Sequence, residues 1–149
     1  MGLLAKALVG VCWRWVHITS VALLVGGLAY ARFVVVPAIS GLAPESRAAV
    51  VNKLVSKYRP FLLLILVALL ASGLFNIFTK AAFPPHYQIW FGIKMLLVMH
   101  IYATAMILAA PGAQSLTGPR WPRLMLSMVV SGFCIILISA LLRWLSLAV

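Results

Sequence analysis

Three side chains that could carry chemistry lie inside long apolar stretches of the chain: His17, Lys94 and His100. Ionisable groups at membrane depth are costly, so they often mark functional sites. His17 lies about 12 residues into the first stretch and His100 about 13 into the third, which predicts similar depths if both stretches are helices running in the same direction. Neutral imidazole nitrogen is a suitable axial ligand for haem iron. The spacing therefore predicts a haem between the first and third helices, with His17 and His100 as its two ligands.

Two cations accompany the histidines. Arg14 precedes His17 by three residues and shares nearly the same helix face, where it could meet a haem propionate or extend to the lipid head groups. Lys94 precedes His100 by six residues, which places it roughly 120° away around a helix. Lys94 is therefore a weaker candidate for the same site. His86 follows Pro85 in a predicted turn and is interpreted as a solvated or interfacial residue.

Small residues predict room for a cofactor. The pairs Ser72-Gly73 and Ser131-Gly132 fall near the middle of the second and fourth apolar stretches. Small side chains allow helices to approach closely, and they leave space that a bundle rich in Leu would fill. A histidine inside a membrane also often serves as a hydrogen-bond partner between helices, so a purely structural role for both histidines stays open.

Copper is the alternative ligand. Met95, Met99 and His100 lie close together in the third stretch, and Cys12 lies near the start of the first. Thioether, thiolate and imidazole groups suit Cu(I). Cys12 and Cys134 belong to no CxxC or CxxCH motif, which disfavours a zinc site, a redox dithiol and covalently attached c-type haem.

The composition predicts an all-α integral membrane protein. The 149 residues are 65% hydrophobic and 9% charged, with a mean hydropathy of +1.16. A transmembrane helix needs roughly 20 mostly apolar residues. Four predicted spans, at about 5–36, 60–79, 87–110 and 122–147, use nearly the whole chain as one domain. The predicted architecture is a four-transmembrane-helix up-and-down bundle.

The charges are distributed unevenly along this chain, which has 12 Lys and Arg residues, one acid (Glu45) and a formal net charge of +11. In a membrane protein such cations contact anionic lipid rather than nucleic acid. Segment 44–59 is basic and amphipathic, and it fits either a helix on the membrane surface or an extension of the second span. The first and third loops hold most cations, which predicts a bacterial-type inner membrane protein with both termini outside. One acid in the chain disfavours hydrolysis by paired carboxylates and acidic proton relays.

Several short motifs carry a resemblance to a known family. They are Trp15-Val16-His17, Val25-Gly26-Gly27, Val36-Pro37-Ala38, Arg59, Ser72-Gly73-Leu74 and the segment from Trp90 to Lys94 that leads to His100. With these motifs the chain resembles small CopD-family membrane proteins and the related HemJ-type protoporphyrinogen oxidases. The resemblance implies a four-helix membrane core, b-type haem as in the HemJ branch, and copper handling as in the CopD branch. It makes His17 the early membrane histidine and Lys94 the third-span lysine. The long basic first loop and the short third loop differ from the HemJ pattern.

The sequence thus favours a membrane protein that binds b-type haem for electron transfer or for oxidation of a membrane-soluble reductant such as a quinone. The alternatives are a CopD-like protein that handles or transports copper and a membrane scaffold without a cofactor. The sequence leaves open whether the protein is an oxidoreductase. Exposed faces rich in Leu, Val and Ala fit lipid or a second copy of the chain equally well, so a homo-oligomer stays open too.

Overall fold

The protein is built from helices. The computed structural model describes residues 2–79, 85–109 and 120–145, and no strand occurs in these ranges. The elements are α1 (Leu3–Tyr30), a π-helical turn (Ala31–Val35), α2 (Val36–Ile39), α3 (Pro44–Phe78), α4 (Pro85–Ala109) and α5 (Arg120–Leu145). Four helical segments are long and apolar enough to cross a membrane: Leu4–Ile39, Pro44–Phe78, Tyr87–Ala109 and Trp121–Trp144. The prediction of an all-α chain with four long apolar helices is confirmed. Residues 80–84, most of the third loop and the side chain of His86 lie outside the described part.

The first span continues past Pro37, where the sequence predicted an end. Proline lacks a backbone N–H, and its ring collides with the carbonyl group four residues earlier in a regular α-helix. The wider turn Ala31–Val35 lies just before this proline, and the Val36 N–H donates to the Ala31 carbonyl, five residues back. The helix can therefore pass Pro37 and end at Ile39, where the Ser40 hydroxyl donates to the Pro37 carbonyl at 2.7 Å.

The basic segment 44–59 forms one continuous helix with the second span. α3 runs through Pro60 without a break and contains 35 residues. At 1.5 Å per residue it is roughly 52 Å long, whereas the hydrocarbon core of a bilayer is about 30 Å thick. Of the two alternatives for this segment, the structure has the extension of the span. The Arg47 guanidinium fixes the connection to α2, because its Nη2 donates to the carbonyls of Ser40 and Leu42 at 3.0 and 3.1 Å.

The four long helices form a ring around the buried core. α1 packs on α3 and on α5, and α4 packs on α5, whereas α3 and α4 contact each other less extensively. α1 and α4 therefore lie diagonally across the bundle. Two glycines allow close approach of α1 to its neighbours: a Cβ at Gly27 would lie 2.7 Å from the Tyr58 hydroxyl, and one at Gly132 would lie 2.6 Å from Val25 Cγ2. The core includes these buried residues: Leu24, Leu28, Leu62, Ile65, Leu66, Ile101, Ala105, Leu108, Met125, Met128, Val129 and Ile135.

Candidate ligand-binding cavity

A cavity of about 250 Å³ lies between the four helices. We refer to it as the central cavity, and its lining combines apolar residues of all four long helices with a few polar ones. The polar or ionisable side chains are those of His17, Asn76, Tyr87, Lys94 and Tyr102. This combination of apolar walls and a few convergent polar groups is typical of small-molecule sites.

The central cavity has an open side on α3. Leu70 and Leu74 line it, yet their side chains are 54% and 44% exposed on the outer surface of the bundle. Both residues lie on α3, which packs on α4 less extensively than α5 does. The arrangement leaves a lateral path into the cavity, of the kind that an apolar ligand could use.

The His17 ring is held by Ser72. Its Nδ1 lies 2.9 Å from the Ser72 hydroxyl oxygen, and the Ser72 side chain is fully buried. That hydroxyl has a single hydrogen, which it donates to the Ala68 carbonyl at 2.6 Å. With that hydrogen on Ala68, Ser72 accepts a hydrogen bond from His17 Nδ1–H, and this tautomer of the neutral ring has its lone pair on Nε2. A histidine fixed in this way through one nitrogen can offer the other to a metal or to a hydrogen-bond donor.

Space around His17 depends on the neighbouring glycine. A Cβ added at Gly73 would lie 3.7 Å from His17 Cε1, which is an ordinary van der Waals distance. Gly73 and His17 both line the central cavity. The pair Ser72-Gly73 thus contributes a ring-orienting hydroxyl and a flat wall beside the imidazole.

Lys94 and Met95 face the central cavity from α4, the helix diagonally opposite α1. Tyr102 lines the cavity from the same helix, and its hydroxyl donates to the Leu66 carbonyl of α3 at 2.6 Å. This bond joins α4 to α3, and a backbone carbonyl inside a helix can accept it because oxygen has two lone pairs. The cavity therefore holds an imidazole, an ammonium group and a thioether within one apolar enclosure.

His100 does not line the central cavity. The α4 residues that do are Tyr87, Phe91, Lys94, Met95, Val98, Ile101 and Tyr102. At 100° per residue these residues form one stripe, and His100 lies roughly 160° from the centre of that stripe. Its side chain is exposed, and its Nε2 lies 3.3 Å from the Ser127 hydroxyl of α5. The predicted pairing of His17 with His100 around one ligand is therefore absent from this geometry, whereas Lys94 does lie with His17.

The four residues of the predicted copper set are scattered. Met95 lines the central cavity, Met99 is 66% exposed, and Cys12 is an exposed free cysteine on α1. His100 faces α5. In the described part of the chain no three His, Cys, Asp or Glu side chains come together to hold a metal ion.

Arg14 lines a second cavity, of about 320 Å³, at the N-terminal end of α1 and the C-terminal end of α3. Asn76 lines both cavities, so the second one adjoins the central cavity. Arg14 is thus next to the His17 site rather than inside it.

Sequence reasoning missed four contributors to the cavity, namely Tyr87, Tyr102, Asn76 and the hydroxyl of Ser72 as the partner of His17. Tyr102 follows Lys94 by eight residues and Met95 by seven, which is helical spacing on one face. That spacing was a usable signal for Tyr102. Nothing in the sequence specified that Ser72, rather than another hydroxyl, would meet His17, because the match depends on the relative positions of α1 and α3.

In comparisons with known proteins, no family model, no curated protein and no solved structure matches the chain.

Proposed function

We propose that the chain is a multi-pass membrane protein that binds b-type haem in the central cavity, where His17 would be a ligand of the iron. The orientation of His17 by Ser72 carries the proposal, because it leaves the Nε2 lone pair on a ring that lines an apolar cavity. Metal-ligating histidines are regularly oriented in this way through their other ring nitrogen.

The other lining residues fit the chemistry of a haem. The Lys94 ammonium is a partner for a haem carboxylate, and the apolar walls exclude water from the ring. Met95 offers a thioether as a second ligand, since it lines the same cavity from the diagonal helix. The volume of about 250 Å³ is just below the roughly 300–1,000 Å³ of typical ligand pockets. The open side at Leu70 and Leu74 leaves the rest of a larger ligand in contact with lipid.

A bound haem would supply one-electron redox chemistry. The side chains of this protein would hold it, orient it and keep it dry, and the lateral path past α3 would admit a membrane-soluble reductant such as a quinone. Electron transfer or oxidation of that reductant is the activity that follows. The likeness to CopD and HemJ proteins agrees with this function and stays a prediction.

Insertion into a bacterial-type inner membrane with both termini outside belongs to the same proposal. The first and third loops with their flanks carry these six cations: Arg47, Lys53, Lys57, Arg59, Arg120 and Arg123. The positive-inside rule places that face in the cytoplasm, where anionic lipid attracts it.

The test is the absorption spectrum of the detergent-purified protein. We expect a Soret band, its loss in His17→Ala, and its retention in His100→Ala. His100 is a matched control because it is a histidine on a membrane helix that does not line the central cavity. A His100→Ala variant that lost the band as completely as His17→Ala would contradict the single-histidine site. Protein that contains no haem and takes up none on reconstitution would refute the function, and copper in that protein would favour the alternative.

A further inference from the structure

The second cavity has a lining distinct from that of the central cavity. It is formed along one face of α1 and the end of α3 by Lys6, Ala7, Gly10, Val11, Arg14, Phe75, Asn76 and Thr79. The α1 residues recur at intervals of three and four, so they form a single stripe on that helix. The Trp13 ring stacks on the Phe75 ring with centroids 5.2 Å apart, and this contact packs α1 against α3 beside the cavity.

The charge at this cavity is positive, and no acidic side chain belongs to its lining. Lys6 and Arg14 both line it, and the single acid of the protein is Glu45. Glu45 lies in the first turn of α3, whereas Asn76 and Thr79 lie at the other end of that helix. At 1.5 Å per residue the separation between Glu45 and Asn76 is roughly 46 Å. Glu45 therefore cannot neutralise Lys6 and Arg14.

The cavity also has polar groups and space for an anion. The Asn76 amide can donate hydrogen bonds, and Arg14 offers a planar guanidinium that matches phosphate and carboxylate geometry. Gly10 lies in the lining, and no atom comes within 4 Å of the position that a Cβ would occupy there. The space next to α1 is thus open.

We propose that this second cavity binds the phosphate or carboxylate head group of an anionic membrane amphiphile. Lys6 and Arg14 lie near the start of the first span and Thr79 just after the second, which is head-group depth if these helices cross the bilayer. Arginine and lysine stabilise such head groups through charge-assisted hydrogen bonds. This proposal rests on one part of the proposed function, the insertion of the chain into a membrane, and does not require haem.

Native mass spectrometry of the full chain in detergent tests the site by counting tightly bound lipids. We expect one tightly bound phosphatidylglycerol and no such binding of phosphatidylcholine. Arg14→Gln should weaken the binding about tenfold or more, because the loss of one charge-assisted hydrogen bond lowers the affinity by at least that factor. Lys57→Gln is the matched control, since Lys57 is an exposed cation on α3 that does not line this cavity.

A second variant separates loss of the site from loss of the fold. Gly10→Leu fills the open space and keeps both cations, so it should weaken phosphatidylglycerol binding as Arg14→Gln does while the helical circular dichroism is unchanged. Inorganic phosphate distinguishes the source of the anion. Displacement of the lipid at millimolar phosphate supports a site that recognises the oxyanion alone. No displacement supports a site that also requires contacts with the lipid chains. Equal binding of the two lipids, or unchanged binding in both variants, would overturn the proposal. Because the readout is lipid and not absorbance, haem-free protein that binds phosphatidylglycerol at this site still supports it.

Discussion

Gly132→Ala tests the packing that forms the central cavity. A Cβ at this position would lie 2.6 Å from Val25 Cγ2 and 3.4 Å from Val25 Cγ1. Val25 is buried and β-branched, so its side chain has few alternative rotamers. Overpacking of this kind costs about 1–3 kcal/mol. Alanine recovers about 0.8–1 kcal/mol through its higher helix propensity, which leaves Gly132→Ala destabilised by up to about 2 kcal/mol.

Gly73→Ala is the matched control. Gly73 lines the same cavity, but its added Cβ would meet only His17 Cε1, at 3.7 Å. This variant gains the same helix propensity without a clash, so we expect it to be as stable as the native protein or more stable by up to about 1 kcal/mol. The propensity term cancels between the variants, and their free energies of unfolding should differ by about 1–3 kcal/mol.

The assay is unfolding in detergent micelles by added SDS, followed by circular dichroism. The difference between the two alanine variants is the quantity to measure, because both carry the same substitution on a helix of the same bundle. Equal stability of the two, or a more stable Gly132→Ala, would refute the close approach of α1 to α5 at Val25. A lower stability of Gly73→Ala alone would show that the wall beside His17 is tighter than the 3.7 Å distance implies.

Two further predictions concern the site and the topology. Ser72→Ala should weaken haem binding by about 10–100-fold, because it removes the group that orients His17. A haem titration of the purified variant measures the affinity, and an unchanged affinity would contradict the orienting role of Ser72. A periplasmic reporter enzyme fused after residue 149 should be active and a cytoplasmic one silent, because the cation distribution predicts a C-terminus outside. The reverse pattern would contradict the predicted topology.

The helices could be predicted from the sequence because hydropathy alone distinguishes them. Four apolar stretches appeared where the structure has its four long helices. Their ends were harder to predict, as Pro37 and Pro60 illustrate. Proline was interpreted as a boundary, but α3 includes Pro60, and the π-helical turn before Pro37 lets the first span continue. Hydrogen-bond adjustments of this kind leave no signature in the composition.

The candidate site was predictable in part. Matching depths along the helices suggested His17 and His100, but depth does not determine which way a side chain faces. Lys94 lies about 120° from His100 around the helix, which makes it the weaker candidate if His100 is a ligand. This angle also explains why Lys94 lines the central cavity and His100 does not, since two residues so far apart cannot both face it. The apolar residues Phe91, Val98 and Ile101 lie on the same face as Lys94. The angular position relative to the buried stripe would have been the better criterion.

The distribution of charge connects the two cavities. Lys94 lines the central cavity, Lys6 and Arg14 line the second, and Asn76 borders both. Glu45, the single acidic side chain of the protein, begins α3 at the opposite end of the helix from both cavities. An anion bound at the second cavity would add charge-assisted hydrogen bonds to Lys6 and Arg14. A ligand that binds the folded protein through acidic groups should stabilise this end of the bundle, so we expect the bound state to unfold at a higher SDS concentration than the ligand-free protein.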